Sequence, residues 1–157
     1  MKQSVYIETT IVSYLAARTS RDLIVAGHQQ ITSEWWEKVS PKFRCYVSEV
    51  VIEESEKGDI ETSKKRLDLI AGFPVLAVND EIKKLASIFF EQLKISEKSR
   101  LDSVHLATAC WYQMDYLLSW NCKHIVSAVV RKLLNEMAKE LKIQIPVICT
   151  PEELMEI

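Results

Sequence analysis

The sequence predicts an α/β fold in which a parallel β-sheet is covered by helices on both faces. Three observations carry this reading. Short apolar segments rich in β-branched and aromatic residues, such as Ser4–Ile7, recur along the chain and alternate with longer segments of helical periodicity. Short apolar strands alternating with helices imply a parallel sheet covered on both faces. At 157 residues the chain is long enough for one sizeable hydrophobic core, so residues 1–157 read as a single domain.

The elements follow in order. After the first strand a helix is expected over 10–17. A second helix spans 21–39, with Leu23, Ala26, Ile31 and Trp35 as its apolar stripe and Pro41 closing it. Residues 44–47 form the second strand, and Ser48 caps a helix over 49–57 that stops at Gly58. Helix 60–71 ends at Gly72. The third strand covers 74–78, and Asp80 caps the helix that runs to about residue 94. Helix 99–112 presents Leu101, Val104, Leu106, Ala107 and Ala109 as a broad apolar face. Tyr116–Leu118 is the fourth strand, 124–141 a long helix, 146–148 the fifth strand, and Pro151 starts a final helical turn.

Composition sets the bounds. Only 3 Gly and 4 Pro leave little room for linkers, and there is no internal repeat. No apolar run is long enough to cross a bilayer, and Met1-Lys2-Gln3 leads straight into a strand without an export signal, which points to the cytoplasm and to no membrane partner. Cys45, Cys110, Cys122 and Cys149 are scattered and read as free thiols; Cys122 and His124 alone do not make a zinc site. A net charge of −2 argues against indiscriminate coating of nucleic acid but leaves room for a local acidic metal site.

In open α/β sheets the functional crevice lies beyond the carboxyl ends of the strands. Glu8, Thr9 and Thr10 follow strand one. Ser48, Glu49, Glu53 and Glu54 follow strand two, and Ser119, Trp120 and Asn121 follow strand four. Asp102 lies near the start of the helix feeding strand four, where a topological switch point brings it towards Glu8. Each residue alone has an ordinary reading: a solvated strand end, an exposed acidic helix face, a helix-start acid, a turn amide. Together they are the convergent oxygen ligands that Mg²⁺ or Mn²⁺ requires.

The blocks V-Y-I-E-T-T-I, V-S-E-V-V-I-E-E-S-E-K-G, L-D-S-V-H-L-A-T-A and D-Y-L-L-S-W-N-C-K-H-I, in that order, resemble the PIN-domain family. They are most similar to VapC-type toxins of type II toxin–antitoxin systems, and the closing I-C-T-P-E-E-L extends the likeness over nearly the whole chain. The resemblance implies a three-layer α/β/α fold with a five-stranded parallel sheet in the order 3-2-1-4-5. It implies a Mg²⁺- or Mn²⁺-dependent endoribonuclease, a small antitoxin partner and a homodimer. By motif, Glu8, Glu54, Asp102 and Asn121 are the metal ligands, with Ser119 in the place of the family's strand-four Thr. Two departures stand out: Glu8 is one methylene longer than the usual Asp, and Asn121 keeps an oxygen but loses a charge. Three formal negatives remain, and Glu53 is the alternative to Glu54.

The first functional reading is therefore metal-dependent RNA hydrolysis by Glu8, Glu54, Asp102 and Asn121, with Thr10 donating to a metal-bound water or a phosphate oxygen. Arg18, Arg21, Lys123 and His124 are candidate backbone contacts, while Lys64, Lys65 and Arg66 read as an exposed helix face. Trp120 is the candidate base-stacking residue; Trp35 and Trp111 read as core. The second reading is a catalytically weakened PIN-fold module that binds nucleic acid or an antitoxin. A receiver-like fold is disfavoured, because Glu8 is followed by Thr9 and no lysine ends the last strand.

Overall fold

Five parallel strands form a single sheet in the order β3-β2-β1-β4-β5 in the computed structural model, which describes residues 1–155. The strands are β1 (Ser4–Ile7), β2 (Arg44–Ser48), β3 (Val75–Leu76), β4 (Tyr116–Leu118) and β5 (Val147–Cys149). Between them run α1 (Thr9–Ala16), α2 (Leu23–Glu34), α3 (Glu49–Ser55), α4 (Ile60–Ile70), α5 (Asp80–Gln92), α6 (Arg100–Trp111) and α7 (Ala128–Leu141). Strand number, order and direction agree with those implied by the sequence blocks.

β1 is central because every residue in it is buried, as a strand covered on both faces must be. Val5 pairs with Cys45 on one side and Tyr116 on the other. Asp115 clamps the start of β1, accepting hydrogen bonds from Ser4 N (2.8 Å) and Ser4 Oγ (3.1 Å). Around the sheet lie Trp35, Phe89, Ile70, Leu106, Leu117 and Leu134, all fully buried. Each contributes about 1.5–3 kcal/mol relative to an exposed position. Among the described residues no helix is long and apolar enough to cross a membrane.

Several expected boundaries shift, each for a local reason. The second helix begins at Leu23 because Asp22 accepts from Ile24 N and Val25 N, and its last turn, Trp35–Val39, is π-helical. Leu23 is exposed, so the apolar stripe expected to start there reaches the core only in its later part, through Ile31 and Trp35. β3 pairs with β2 through two residues only. Asn79, not Asp80, caps α5, accepting from Ile82 N at 2.8 Å. The long helix starts at Ala128 rather than at 124: Ser127 caps it, and the preceding turn closes on Asn121 O through Ile125 N (3.1 Å) and Val126 N (2.8 Å).

Strand order dictates where a site can form. The chain leaves β3 at one edge and re-enters the sheet at β4 on the far side of β1. Connections therefore diverge between the carboxyl ends of β1 and β4, which opens a crevice there. Backbone pairing continues past both strands, with Glu8 N donating to Leu118 O and Ser119 N to Cys149 O, each at 3.1 Å.

Candidate active site

Glu8 sits at the floor of that crevice. Its backbone is extended, so it shares a sheet face with Tyr6, and its side chain caps α1 by accepting from Thr10 N at 3.1 Å. Oε1 accepts from Thr10 Oγ1 and Ser119 Oγ, both at 2.5 Å. The residue is only 3% exposed. Burial pushes its carboxyl above the usual range, and the charge of His105 and the hydrogen bonds from Ser119 and Thr10 offset this only in part.

Glu54 approaches from α3. Ser48 fixes the start of that helix by accepting from Val51 N (3.4 Å), and the helical register then turns Glu54 inward and leaves Glu53 exposed. Glu54 Oε1 accepts from Thr9 Oγ1 and lies against His105 Nε2, both at 2.6 Å. Burial alone would raise this carboxyl, but the hydrogen bond and charge of His105, with Thr9, hold it below its ordinary value. An ionised carboxylate only accepts, so His105 Nε2 carries the proton.

His105 is fully buried in α6, and behind it Tyr6 Oη lies 2.6 Å from Nδ1 and 2.8 Å from Ser48 Oγ. Burial alone would lower the imidazole pKa; the bond to Glu54 and the charges of Glu8, Glu54 and Asp102 outweigh it and raise it. The relay Ser48–Tyr6–His105–Glu54 thus joins β1, β2, α3 and α6 through one line of contacts. Sequence reasoning missed His105, since a histidine inside the apolar face of a helix reads as core. The available signal was its i+3 spacing from Asp102, combined with a tyrosine two residues before Glu8 on the same strand face.

Asp102 and Asn121 have different company. Asp102 Oδ2 lies 2.8 Å from His124 Nδ1, with both side chains largely but not fully buried. Asn121 Oδ1 accepts from His124 N at 3.1 Å, and its backbone N donates to Ser119 Oγ at 2.9 Å, so its amide holds the turn after β4. Because the long helix starts later than expected, His124 belongs to that turn and not to a helix end. Thr10 joins the halves: its hydroxyl donates to Glu8 and accepts from Trp120 N at 2.8 Å.

Of the sequence-derived residues, Glu8 and Glu54 converge directly. Polar atoms of these two carboxylates and of His105 all lie within 4.8 Å of one another, a group that does not include Asp102, and the protonated Nε2 of His105 serves there as a donor to Glu54. The donor set suits a hard divalent cation. Its anchors are carboxylates, and among the described residues no lysine or arginine forms an ion pair with either one. Hydroxyls and imidazoles take one oxygen of Glu54 and one of Asp102. Glu54 Oε2 and Asp102 Oδ1 accept no hydrogen bond from the described residues and stay available to a cation or its waters.

The flanking residues sort less evenly. Trp120, expected at the crevice as a stacking residue, is 7% exposed and donates from Nε1 to Thr32 Oγ1 at 2.7 Å. Trp35 is core as expected, but Trp111 is 46% exposed because it ends α6 at the surface. Arg18, Arg21 and Lys123 are exposed. Arg66 donates to Ser55 O and Lys57 O and so closes the end of α3, while Lys64 and Lys65 are exposed as expected.

This topology is that of the VapC-type PIN-domain fold. Two solved structures share it: VapBC2 from Rickettsia felis bound to a DNA fragment from its promoter, and VapC20 from Mycobacterium tuberculosis, a sarcin–ricin loop cleaving toxin. The first aligns over 94% of this chain and 98% of its own at 13% identity and a TM-score of 0.61. The second aligns over 76% and 91% at 11% identity and a TM-score of 0.60. The sequence matches no family model and no curated protein.

Proposed function

We propose that this protein is a divalent-metal-dependent endoribonuclease, the toxin of a toxin–antitoxin pair. One observation carries the reading: two carboxylates, Glu8 and Glu54, meet with His105 within 4.8 Å at the β1/β4 switch point of a VapC-like fold. Glu8 and Glu54 would hold Mg²⁺ or Mn²⁺, and the free oxygen of Asp102 and the amide of Asn121 would complete the shell, directly or through waters. A cation so held lowers the pKa of bound water and neutralises charge developing on a phosphodiester.

The chain's own groups do the rest. Thr10 and Ser119 fix Glu8, and Thr9 and His105 fix Glu54, so the anchors need no reorganisation when substrate arrives. Water adds to phosphorus as the bond to the 3′ oxygen breaks, which leaves a 5′ phosphate and a 3′ hydroxyl. A small antitoxin partner, a homodimer and a cytoplasmic setting complete the proposal.

The decisive experiment is calorimetric titration of Mn²⁺ into wild type and Asp102→Ala, with cleavage of a labelled RNA pool alongside. Binding and cleavage in the wild type, with cleavage abolished and the fold intact in the variant, support a working nuclease. The pairing of Asp102 with His124 and the use of Asn121 in a turn favour one second reading, a PIN-fold module with a weakened site. Absence of Mn²⁺ binding and cleavage in the wild type would establish that instead.

A further inference from the structure

A second group of functional side chains adjoins the acids and has no part in the chemistry above. Tyr14, His28 and Trp120 place three aromatic rings within 16° of parallel. His28 stacks on Trp120 with centroids 4.0 Å apart, and Tyr14 lies beside that pair, 6.4 Å and 6.1 Å from the two rings. The group is tied to the acids. Tyr14 lies one helical turn beyond Thr10 on α1, and Thr10 Oγ1 bonds both Glu8 and Trp120 N. Buried Trp120 is the rigid base, while Tyr14 and His28 keep part of their surface in solvent.

Tyr14 also walls a cleft of about 250 Å³ between α1 and α2, with Leu15, Thr19, Gln29 and Ser33 among its other walls. The hydroxyls of Tyr14, Thr19 and Ser33, three residues that line this cleft, make no hydrogen bond to any described residue. The amide of Gln29, in contrast, is fixed by Ser20 N (2.9 Å) and Arg18 O (3.0 Å), which sets the shape of the wall. Arg18 stands between two wall residues, Ala17 and Thr19, is exposed, and has no carboxylate within 4 Å among the described residues. A flat aromatic wall, unspent hydroxyls and an exposed guanidinium are the chemistry that recognises one unpaired nucleotide.

We infer that the α1/α2 cleft seats a single unpaired base of the RNA strand next to the phosphate that a cation at Glu8 and Glu54 would bind. Tyr14 is its stacking wall and Arg18 its phosphate contact. This rests on the nuclease reading of the neighbouring acids and adds a selection for single-stranded RNA at that site.

The test is anisotropy of a fluorescein-labelled single-stranded RNA octamer at low salt in EDTA, where metal-dependent cleavage cannot proceed. Tyr14→Ala is expected to weaken binding about tenfold, in the range set by one stacked base, while Tyr14→Phe stays within about twofold of wild type. Arg18→Ala should make binding less salt-dependent by about one phosphate contact. An octamer of the same length with abasic residues should bind wild type and Tyr14→Ala alike. Equal weakening of both octamers by Tyr14→Ala, equal binding of a duplex, or no binding to wild type overturns the inference. If the dependence on Tyr14 holds but Mn²⁺ brings no cleavage, the nuclease reading fails and the base site stands. Cleavage with wild-type binding in Tyr14→Ala gives the reverse.

Discussion

The two halves of the crevice hold the same kind of group in different ways. Glu8 and Glu54 are locked by hydroxyls and a buried imidazole drawn from α1, α6 and the end of β4. Asp102 and Asn121 are held by His124, a residue of the turn between β4 and α7. The first arrangement cannot relax without disturbing the core, whereas the second can re-pair by moving one turn. On the proposed reading, preorganisation for a cation therefore resides in the Glu8–Glu54 half, and adjustability in the Asp102 half.

The strongest way to break this contrast is His105→Leu. The variant keeps the bulk but leaves the Glu54 carboxylate and Tyr6 hydroxyl facing an apolar group. A loss of about 3 kcal/mol is expected, as for a buried pair stripped of one partner. Mn²⁺ affinity should fall with it. His105→Gln, which can still donate to Glu54, should recover part of both. Urea unfolding and calorimetry read the two quantities, and a Leu variant as stable as wild type would show the relay to be incidental.

Acidity separates the members of the locked half from one another. Glu54 is held below its ordinary value and His105 above, so their mutual contribution is complete between about pH 4.3 and 6.5, the unperturbed values. It fades as pH falls through the folded value of Glu54 or rises through that of His105. Glu8 behaves oppositely. Burial raises its carboxyl, so it contributes most below about pH 4.3 and loses that contribution as pH rises through its folded value. Glu8→Gln carries no charge, so in chelator its melting temperature should match wild type near pH 4 and exceed it at neutral pH. A difference that does not change with pH would mean the Glu8 charge is fully compensated without a cation.

The contrast also explains what could be read in advance. The parallel α/β class and a crevice at the strand ends near Glu8 were legible because they follow from apolar strands, caps and the switch-point rule, whereas the strand order and the place of Glu54 followed only from the resemblance of the sequence blocks. Ser48 at the start of α3 is enough to choose Glu54 over Glu53 once its capping bond is known. His105 was not legible, because its meaning depends on Tyr6 and Glu54, which are 99 and 51 residues away in the chain. Nor was the fate of Asp102 and Asn121, which turns on α7 starting at Ala128 and freeing His124 to fold back. Trp120 looked free because it follows a strand end, yet its indole is spent on Thr32 and His28.

The adjustable half gives a smaller effect with the opposite sign. In His124→Ala the carboxylate of Asp102 loses its partner but remains partly exposed. Stability should change by no more than about 1 kcal/mol, as for partly solvated pairs. Mn²⁺ affinity should rise by a few-fold, because Asp102 then offers both oxygens. Reduced affinity would show that His124 orients Asp102 for the cation rather than competing for it.

The smallest effect is the control on register. Glu53 and Glu54 are adjacent acids on one helix, but only Glu54 is held in the crevice, by Thr9 and His105. Glu54→Ala removes an anchor and should lower cleavage by about a hundredfold or more, the scale typical of losing one preorganised charged contact. Glu53→Ala alters an exposed side chain with no hydrogen bond to any described residue, and should leave cleavage, Mn²⁺ binding and the unfolding midpoint unchanged. The pair of variants measured side by side isolates geometry from charge, since each removes one negative charge from the same turn of α3. Equal losses would mean that the acidic face of α3 acts through its field alone, and the distinction between a locked anchor and a surface acid would then have no functional content.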